Sequence, residues 1–186
     1  MNRQVIGIDI GTSYTRVGVW INNNFQIIPI DGFQNYPSVI SFDDVGVVTV
    51  VGIRKKSFLK FKDGFTDYST TTIFDIKRLV GRYFPDRTVQ EDLKILPYSI
   101  VCPSSNKIAI QISTKQYTPL ELFAFILYKA CSAASSYLGC RIKESVISVP
   151  SSFNNTQRRF IIKAASVIGL HVNRLINGIL LLSNFC

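Results

Sequence analysis

Residues Val5 to Trp20 read VIGIDIGTSYTRVGVW, a short apolar run, a polar turn and the start of a second run, Thr15 to Ile21, that alternates around Val17, Val19 and Ile21. Two strands joined by a tight turn satisfy that pattern: the first is apolar enough to be buried, the second has a period of two. A turn built on Gly11 lets the backbone N–H groups of Thr12, Ser13 and Tyr14 point into one concavity. Clustered amides with hydroxyls beside them bind phosphate oxygens. Asp9, at the end of the first strand, can hold the water shell of Mg²⁺, an ion that favours one carboxylate plus waters and phosphates. A plain hairpin whose aspartate caps its turn fits the same residues, and the residues by themselves leave the two readings level.

The opening continues as a β-meander. Asn22-Asn23-Asn24 is a turn of residues that tolerate left-handed backbone angles, Phe25 to Ile30 returns as a third strand, and Tyr36-Pro37 leads into Ser38 to Phe42. Val45 to Gly52 reads as a hairpin arm. From Thr72 the period changes, and Ile73, Phe74, Ile76, Lys77, Leu79 and Val80 fit a short amphipathic helix that Gly81 ends. Asp86 to Tyr98 is irregular or a second short helix, and Ser99 to Val101 and Lys107 to Ser113 alternate as strands. Thr118-Pro119-Leu120-Glu121 combines a capping hydroxyl, a proline at the first helical position and a capping-box glutamate. The helix it starts runs to Leu138, stops at Gly139, and is apolar nearly all round, which predicts burial. Ser145 to Val149 is a core strand broken by Pro150. Asn154 or Asn155 caps a helix through Ile168, and Leu170 to Asn177 is the last strand. Strands first, then helices and strands in alternation, predict a mixed α/β fold.

The composition excludes several classes. The chain has 186 residues, 47% hydrophobic and with 22 aromatic side chains, which rules out disorder. Its longest uncharged apolar stretch, Leu122 to Tyr128, is far shorter than the ~20 residues a membrane helix needs. Asp9 interrupts the first apolar run, so no signal-peptide core is drawn there, and a cytoplasmic location is expected. The cysteines at 102, 131, 140 and 186 show no Cys-x-x-Cys pair and read as ordinary thiols in a reducing compartment. The only histidine, His171, lies in an alternating run as an outward strand residue. The net charge of +9 gathers at Arg54, Lys55, Lys56, Lys60 and Lys62 and again over the last third. No nucleic-acid module accompanies it, so a solvated basic face is the better reading than nucleic-acid binding.

The sequence resembles the 70-kilodalton heat-shock chaperone family, specifically the N-terminal half of its actin-like ATPase domain. The matching segments run in family order across residues 5–177: Val5 to Trp20, Asn35 to Phe42 (NYPSVISF), Phe74 to Arg82 (FDIKRLVGR), Thr88 to Leu93 (TVQEDL), Tyr137 to Val149 (YLGCRIKESVISV), Pro150 to Arg158 (PSSFNNTQR) and Ala164 to Asn177 (AASVIGLHVNRLIN). Sugar kinases and actins share the first phosphate turn but not the Phe74 to Arg82 run. The resemblance implies an actin-like ATPase (ribonuclease H-like) lobe, a mixed sheet with helices plus a smaller inserted α/β subdomain. Residues 1–38 and 118–186 would form the core and 39–117 the insertion.

By the same resemblance, ATP or ADP with Mg²⁺ would be the ligand. Gly11, Thr12, Ser13 and Tyr14 would meet the β- and γ-phosphates, Asp9 the hydrated Mg²⁺ and monovalent cations, and Lys77 the γ-phosphate. Arg78 would lie on the adenine side, while Pro150 and Arg158 would relay nucleotide state to a peptide-binding domain. Read without the family, Lys77 and Arg78 are the solvated face of a short helix, and Arg158 is a helix-surface cation. The family continues after Asn177 with Glu-Pro-Thr-Ala; here Gly178 stands at the catalytic glutamate's position and Ile179 at that of the switch proline. The expectation is a truncated, misspliced or frameshifted tail, with the second lobe and the peptide-binding domain absent and no independent hydrolysis. Stress-response chaperone work on unfolded clients, with co-chaperones, would belong to a full-length context. The alternative is a non-catalytic, chaperone-like interaction module that self-associates through its exposed cleft face.

Overall fold

The computed structural model describes residues 4–52 and 72–178. The basic cluster at 54–62 and the tail beyond Gly178 lie outside the described residues.

Strands β1 (Val5–Ile10), β2 (Tyr14–Ile21) and β3 (Asn24–Ile28) form the expected antiparallel meander, and the two-residue strand β4 (Tyr36–Pro37) pairs with β2. Asn22 and Asn23 take positive φ in the turn between β2 and β3, as a tight hairpin turn demands. Strand β1 buries Ile6, Ile8 and Ile10 on one face, the period-two signature seen in the sequence.

Next come β5 (Ile40–Phe42), β6 (Val48–Val51) and β7 (Thr72–Ile73), which make a small sheet ordered β6-β5-β7. The helix expected from Thr72 is absent. Thr72 and Ile73 pair with β5 instead, Asp75 takes a left-handed conformation, and only a single 3₁₀ turn, Ile76–Leu79, follows. Helix α1 (Arg87–Asp92) precedes a second small sheet, β8 (Ser99–Val101), β9 (Ala109–Ile112) and β10 (Lys115–Tyr117). Strand β10 has no counterpart in the sequence reading.

Helix α2 (Pro119–Leu138) begins as expected: Thr118 Oγ1 accepts from the Glu121 amide at 3.2 Å and Glu121 Oε2 accepts from the Thr118 amide at 2.7 Å. It is not buried all round, however. Leu122, Phe123, Ile126, Leu127, Ala130 and Ala134 face the core, while Tyr128 is 62% exposed on the opposite side. Aromatic rings with a polar tip tolerate that position, which is why apolarity overstated the burial. Strand β11 (Glu144–Val149), helix α3 (Asn155–Val167) and strand β12 (His171–Asn177) follow as read, with Asn154 as the helix cap and His171 exposed.

The main sheet is ordered β12-β11-β1-β2-β3, parallel from β12 to β1 and antiparallel beyond. Helices α2 and α3 pack on it and on each other. One hydrophobic core joins this sheet to both small sheets, running from Ile6 and Ile8 through Ile40, Ile73 and Ile110 to Ile147. A polar fastening supplements it. The Tyr36 hydroxyl donates to Val51 O on β6 with Asp31 Oδ2 3.1 Å from it, and Lys129 Nζ on α2 pairs with Asp31 at 2.9 Å.

Candidate functional site

The parallel half of the sheet sets the geometry. Strands β1, β11 and β12 are parallel and all end on one side, where the turn after β1 and the loop after β11 open. Open α/β sheets place ligands outside the carboxyl ends of their strands.

The turn Gly11–Ser13 is closed by Gly11 N donating to Tyr14 O at 2.7 Å. Ser38 holds it from beneath: its amide donates to Ser13 O at 2.9 Å and its hydroxyl to Gly11 O at 3.1 Å, with Thr15 Oγ1 3.0 Å away. Ser38 and Thr15 are both buried. The amides of Thr12 and Ser13 donate to no other described residue, and both residues are exposed. A rigid turn therefore presents two unspent N–H groups and two hydroxyls to solvent, the donor set that binds anions. Tyr14, the third residue expected there, opens β2 with its side chain half exposed.

Asp9 ends β1 and is flanked on both sides. Its cross-strand partner on β2 is Arg16, and on β11 it is Ser148. Cross-strand partners share a face, so the register alone brings the three side chains together. The Ser148 hydroxyl donates to Asp9 Oδ1, and Arg16 Nη1 stands 3.9 Å from Asp9 Oδ2. Arg16 is steadied from behind, its Nε donating to Asn35 Oδ1 at 2.5 Å.

Lys77 reaches the same place from the 3₁₀ turn, its Nζ donating to Ile10 O at 2.5 Å with the Phe153 ring 5.9 Å away. Burial lowers its pKa below the ordinary lysine value, and the negative charge of Asp9 partly restores it. It is thus not the solvated cation that the residues alone suggested. Arg78, its neighbour, turns the other way. It donates to Asp75 Oδ2 at 3.1 Å and to the buried Asp92 Oδ1 at 3.3 Å, which ties the 3₁₀ turn to α1. The structure brings Gly11, Thr12, Ser13, Asp9 and Lys77 together, while Arg78 is held by Asp75 and Asp92.

Pro150 follows β11 and accepts from the Phe153 amide at 3.1 Å. Arg158 on α3 donates to Phe153 O at 3.1 Å and to Asn177 Oδ1 at 3.0 Å, joining the start of α3 to the end of β12. Gly178 comes next. The nearest atom to a side chain built there is Val149 O at 3.9 Å, so the position offers space but no functional group.

Sequence reasoning missed Arg16, Ser148, Ser38 and Asn35. The signal for Ser148 was a polar residue near the end of an apolar strand, and for Ser38 a serine immediately after a Tyr-Pro step. Neither points to Asp9 until the strand register is known.

A protein-held magnesium ion does not fit these residues. The ion favours a carboxylate that faces its octahedral water shell, whereas Asp9 accepts from Ser148 on one oxygen and has the Arg16 guanidinium, itself a cation, 3.9 Å from the other. No group of three or more His, Cys, Asp or Glu side chains that could hold a metal occurs among the described residues.

A mixed sheet with a donor-rich turn at the ends of its parallel strands is an α/β arrangement suited to anions. A family model described as Hsp70 protein matches residues 5–179. The heat shock cognate 70 kDa protein 3 of Dictyostelium discoideum is 36% identical over 178 residues, covering 92% of this chain and 27% of that protein. The mitochondrial heat shock 70 kDa protein of Solanum tuberosum is 37% identical over 175 residues, covering 94% of this chain and 25% of the relative. The chain belongs to the Hsp70 family, its fold is the actin-like one of that family's ATPase domain, and it spans about a quarter of the length of these relatives.

Proposed function

We propose that this chain is the N-terminal nucleotide-binding lobe of an Hsp70-type, ATP-dependent protein-folding chaperone, carrying the first phosphate-binding loop and unable to hydrolyse ATP as these 186 residues alone. The observation that carries the reading is the turn itself. The unspent amides and hydroxyls of Thr12 and Ser13 stand at the carboxyl end of β1, where Lys77 also arrives. Phosphoryl transfer is governed by positioning and charge stabilisation, which amide donors and an ammonium supply. The turn would hold the phosphate chain of ATP or ADP by its β- and γ-oxygens, with Gly11 and Tyr14 shaping it. Lys77 would face the terminal phosphate and Arg78 would border the site on the adenine side. Pro150 and Arg158 would pass the state of the site to distant parts of a longer protein.

In this division, residues 1–38 and 118–186 form the core of the lobe and 39–117 an insertion on it. Any magnesium arrives on the nucleotide's own phosphates. Hydrolysis requires a group to orient water, and Gly178 offers none at the end of β12. These residues also form one wall of a cleft, so phosphates bound there face water, where charge contacts are screened. In a full-length setting in the cytoplasm the lobe would serve a chaperone cycle on unfolded client proteins with co-chaperones.

Calorimetric titration of the 186-residue polypeptide with Mg-ATP tests the reading. Weak binding and no turnover are expected, with amide chemical-shift changes centred on Thr12 and Ser13. Micromolar affinity or multiple turnovers would overturn the incompetence, and shifts confined elsewhere would overturn the assignment of the loop.

A further inference from the structure

We propose that Arg16 takes the place of a divalent cation at this site, so that the turn binds phosphate groups without Mg²⁺. The inference rests on the phosphate reading of the Gly11–Ser13 turn and adds to it the cation that balances the bound charge.

The register fixes the arrangement before any side-chain detail. Asp9 pairs with Arg16 across the antiparallel β1–β2 ladder and with Ser148 across the parallel β1–β11 ladder. Both neighbours lie on its own face, one a cation and the other a hydroxyl. The side chains then close on it: Ser148, 3% exposed, donates to one carboxylate oxygen, and the Arg16 guanidinium lies 3.9 Å from the other. Asn35 accepts from Arg16 Nε at 2.5 Å, which orients the guanidinium plane. Lys77 adds a second cation beside the end of β1. Two cations against one carboxylate leave the site with a net charge of +1 before any ion binds.

That sign matters for what enters. A hydrated Mg²⁺ coming to Asp9 meets two positive charges, and a carboxylate already flanked by a hydroxyl on one oxygen and a guanidinium 3.9 Å from the other. A phosphate oxygen meets the amides of Thr12 and Ser13 and a guanidinium with several N–H donors still unspent. Arginine presents five donors in a fixed fork suited to phosphate, and its side chain here is 46% exposed. The charge of Asp9 is thereby balanced by Arg16, and its field also acts on Lys77.

Inorganic tripolyphosphate is the probe, titrated calorimetrically into the 186-residue polypeptide in EDTA and again in excess Mg²⁺. Binding in EDTA at least as tight as in Mg²⁺ is expected. Arg16→Gln should weaken binding in EDTA by about tenfold, the scale of one charge-assisted hydrogen bond, and added Mg²⁺ should then strengthen it. Arg16→Lys keeps the charge and should retain most of the binding in EDTA. Wild-type binding that appears only with Mg²⁺ overturns this inference and leaves the phosphate reading intact. No binding under either condition overturns both.

Discussion

Gly81 offers a test of how the Lys77 segment is held in place. Its φ is +63°, a conformation in which an L side chain costs about 1–2 kcal/mol. A Cβ there would lie 2.7 Å from Gln157 Cα and 3.0 Å from Gln157 N, backbone atoms of the first turn of α3. Gln157 cannot yield easily. It is buried, exchanges hydrogen bonds with Asn154 in a capping box, and donates to Val80 O at 3.3 Å. Crowding of this kind costs a further ~1–3 kcal/mol, so Gly81→Ala should destabilise the fold by about 2–5 kcal/mol.

Gly139 is the natural comparison, because its φ of +64° is the same but nothing lies within 4 Å of a Cβ built on it. Gly139→Ala should show the backbone strain alone, about 1 kcal/mol after the gain from a stiffer unfolded chain. Urea denaturation separates the two: with a slope of about 1–3 kcal/mol per molar, Gly81→Ala should lower the midpoint by an extra ~1 M. Equal losses in the two variants would refute the claim that contact with α3, beyond the backbone angle, requires a glycine at 81.

Two further perturbations have defined outcomes. Ser38→Ala removes the hydroxyl that holds Gly11 O and faces Thr15, and should cost about 1–2 kcal/mol; amide exchange at position 38 should quicken as its bond to Ser13 O loosens, and unchanged exchange would count against the turn's being held from beneath. Burial pushes the Cys131 thiol up from 9.0 to about 12. The folded chain thus keeps that proton more tightly than the unfolded one, and the stabilisation is whole below the unfolded pKa and fades as pH rises toward 12. Cys131→Ala should therefore show a shallower alkaline loss of stability in denaturant titrations, and in the native wild type Cys102 and Cys140 should react with a thiol reagent while Cys131 does not.

The long elements were legible because their signals are local. The box at Thr118 and Glu121 and the stop at Gly139 lie within or beside the helix they bound, and the alternation in β2 lies within β2. The stretch from Thr72 was misread because its outcome depends on a distant partner. Ile73 and Ile76 have helical spacing, yet Thr72 and Ile73 are drawn into pairing with β5, some thirty residues earlier. Strand β10 has three residues and exists only beside β9, so no periodicity could reveal it. The site follows the same division. Gly11 to Tyr14 announced a turn, and Asp9 stood out as a charge in an apolar run. Arg16 and Ser148 became its neighbours only through the pairing of three strands, a relation that no one segment encodes.

The pairing of β1 with β11 has a consequence in time. Asp9 and its hydrogen-bond partner Ser148 are separated by 139 positions, a span that must be closed against chain entropy before the contact forms. During synthesis the β1–β2–β3 meander can assemble as soon as it emerges, since its strands are joined by tight turns. Ser148 must still be translated before the carboxylate acquires its second neighbour. Until then the chain carries a finished turn beside an unfinished site, and the Asp9–Ser148 bond is a marker that β1 and β11 have paired.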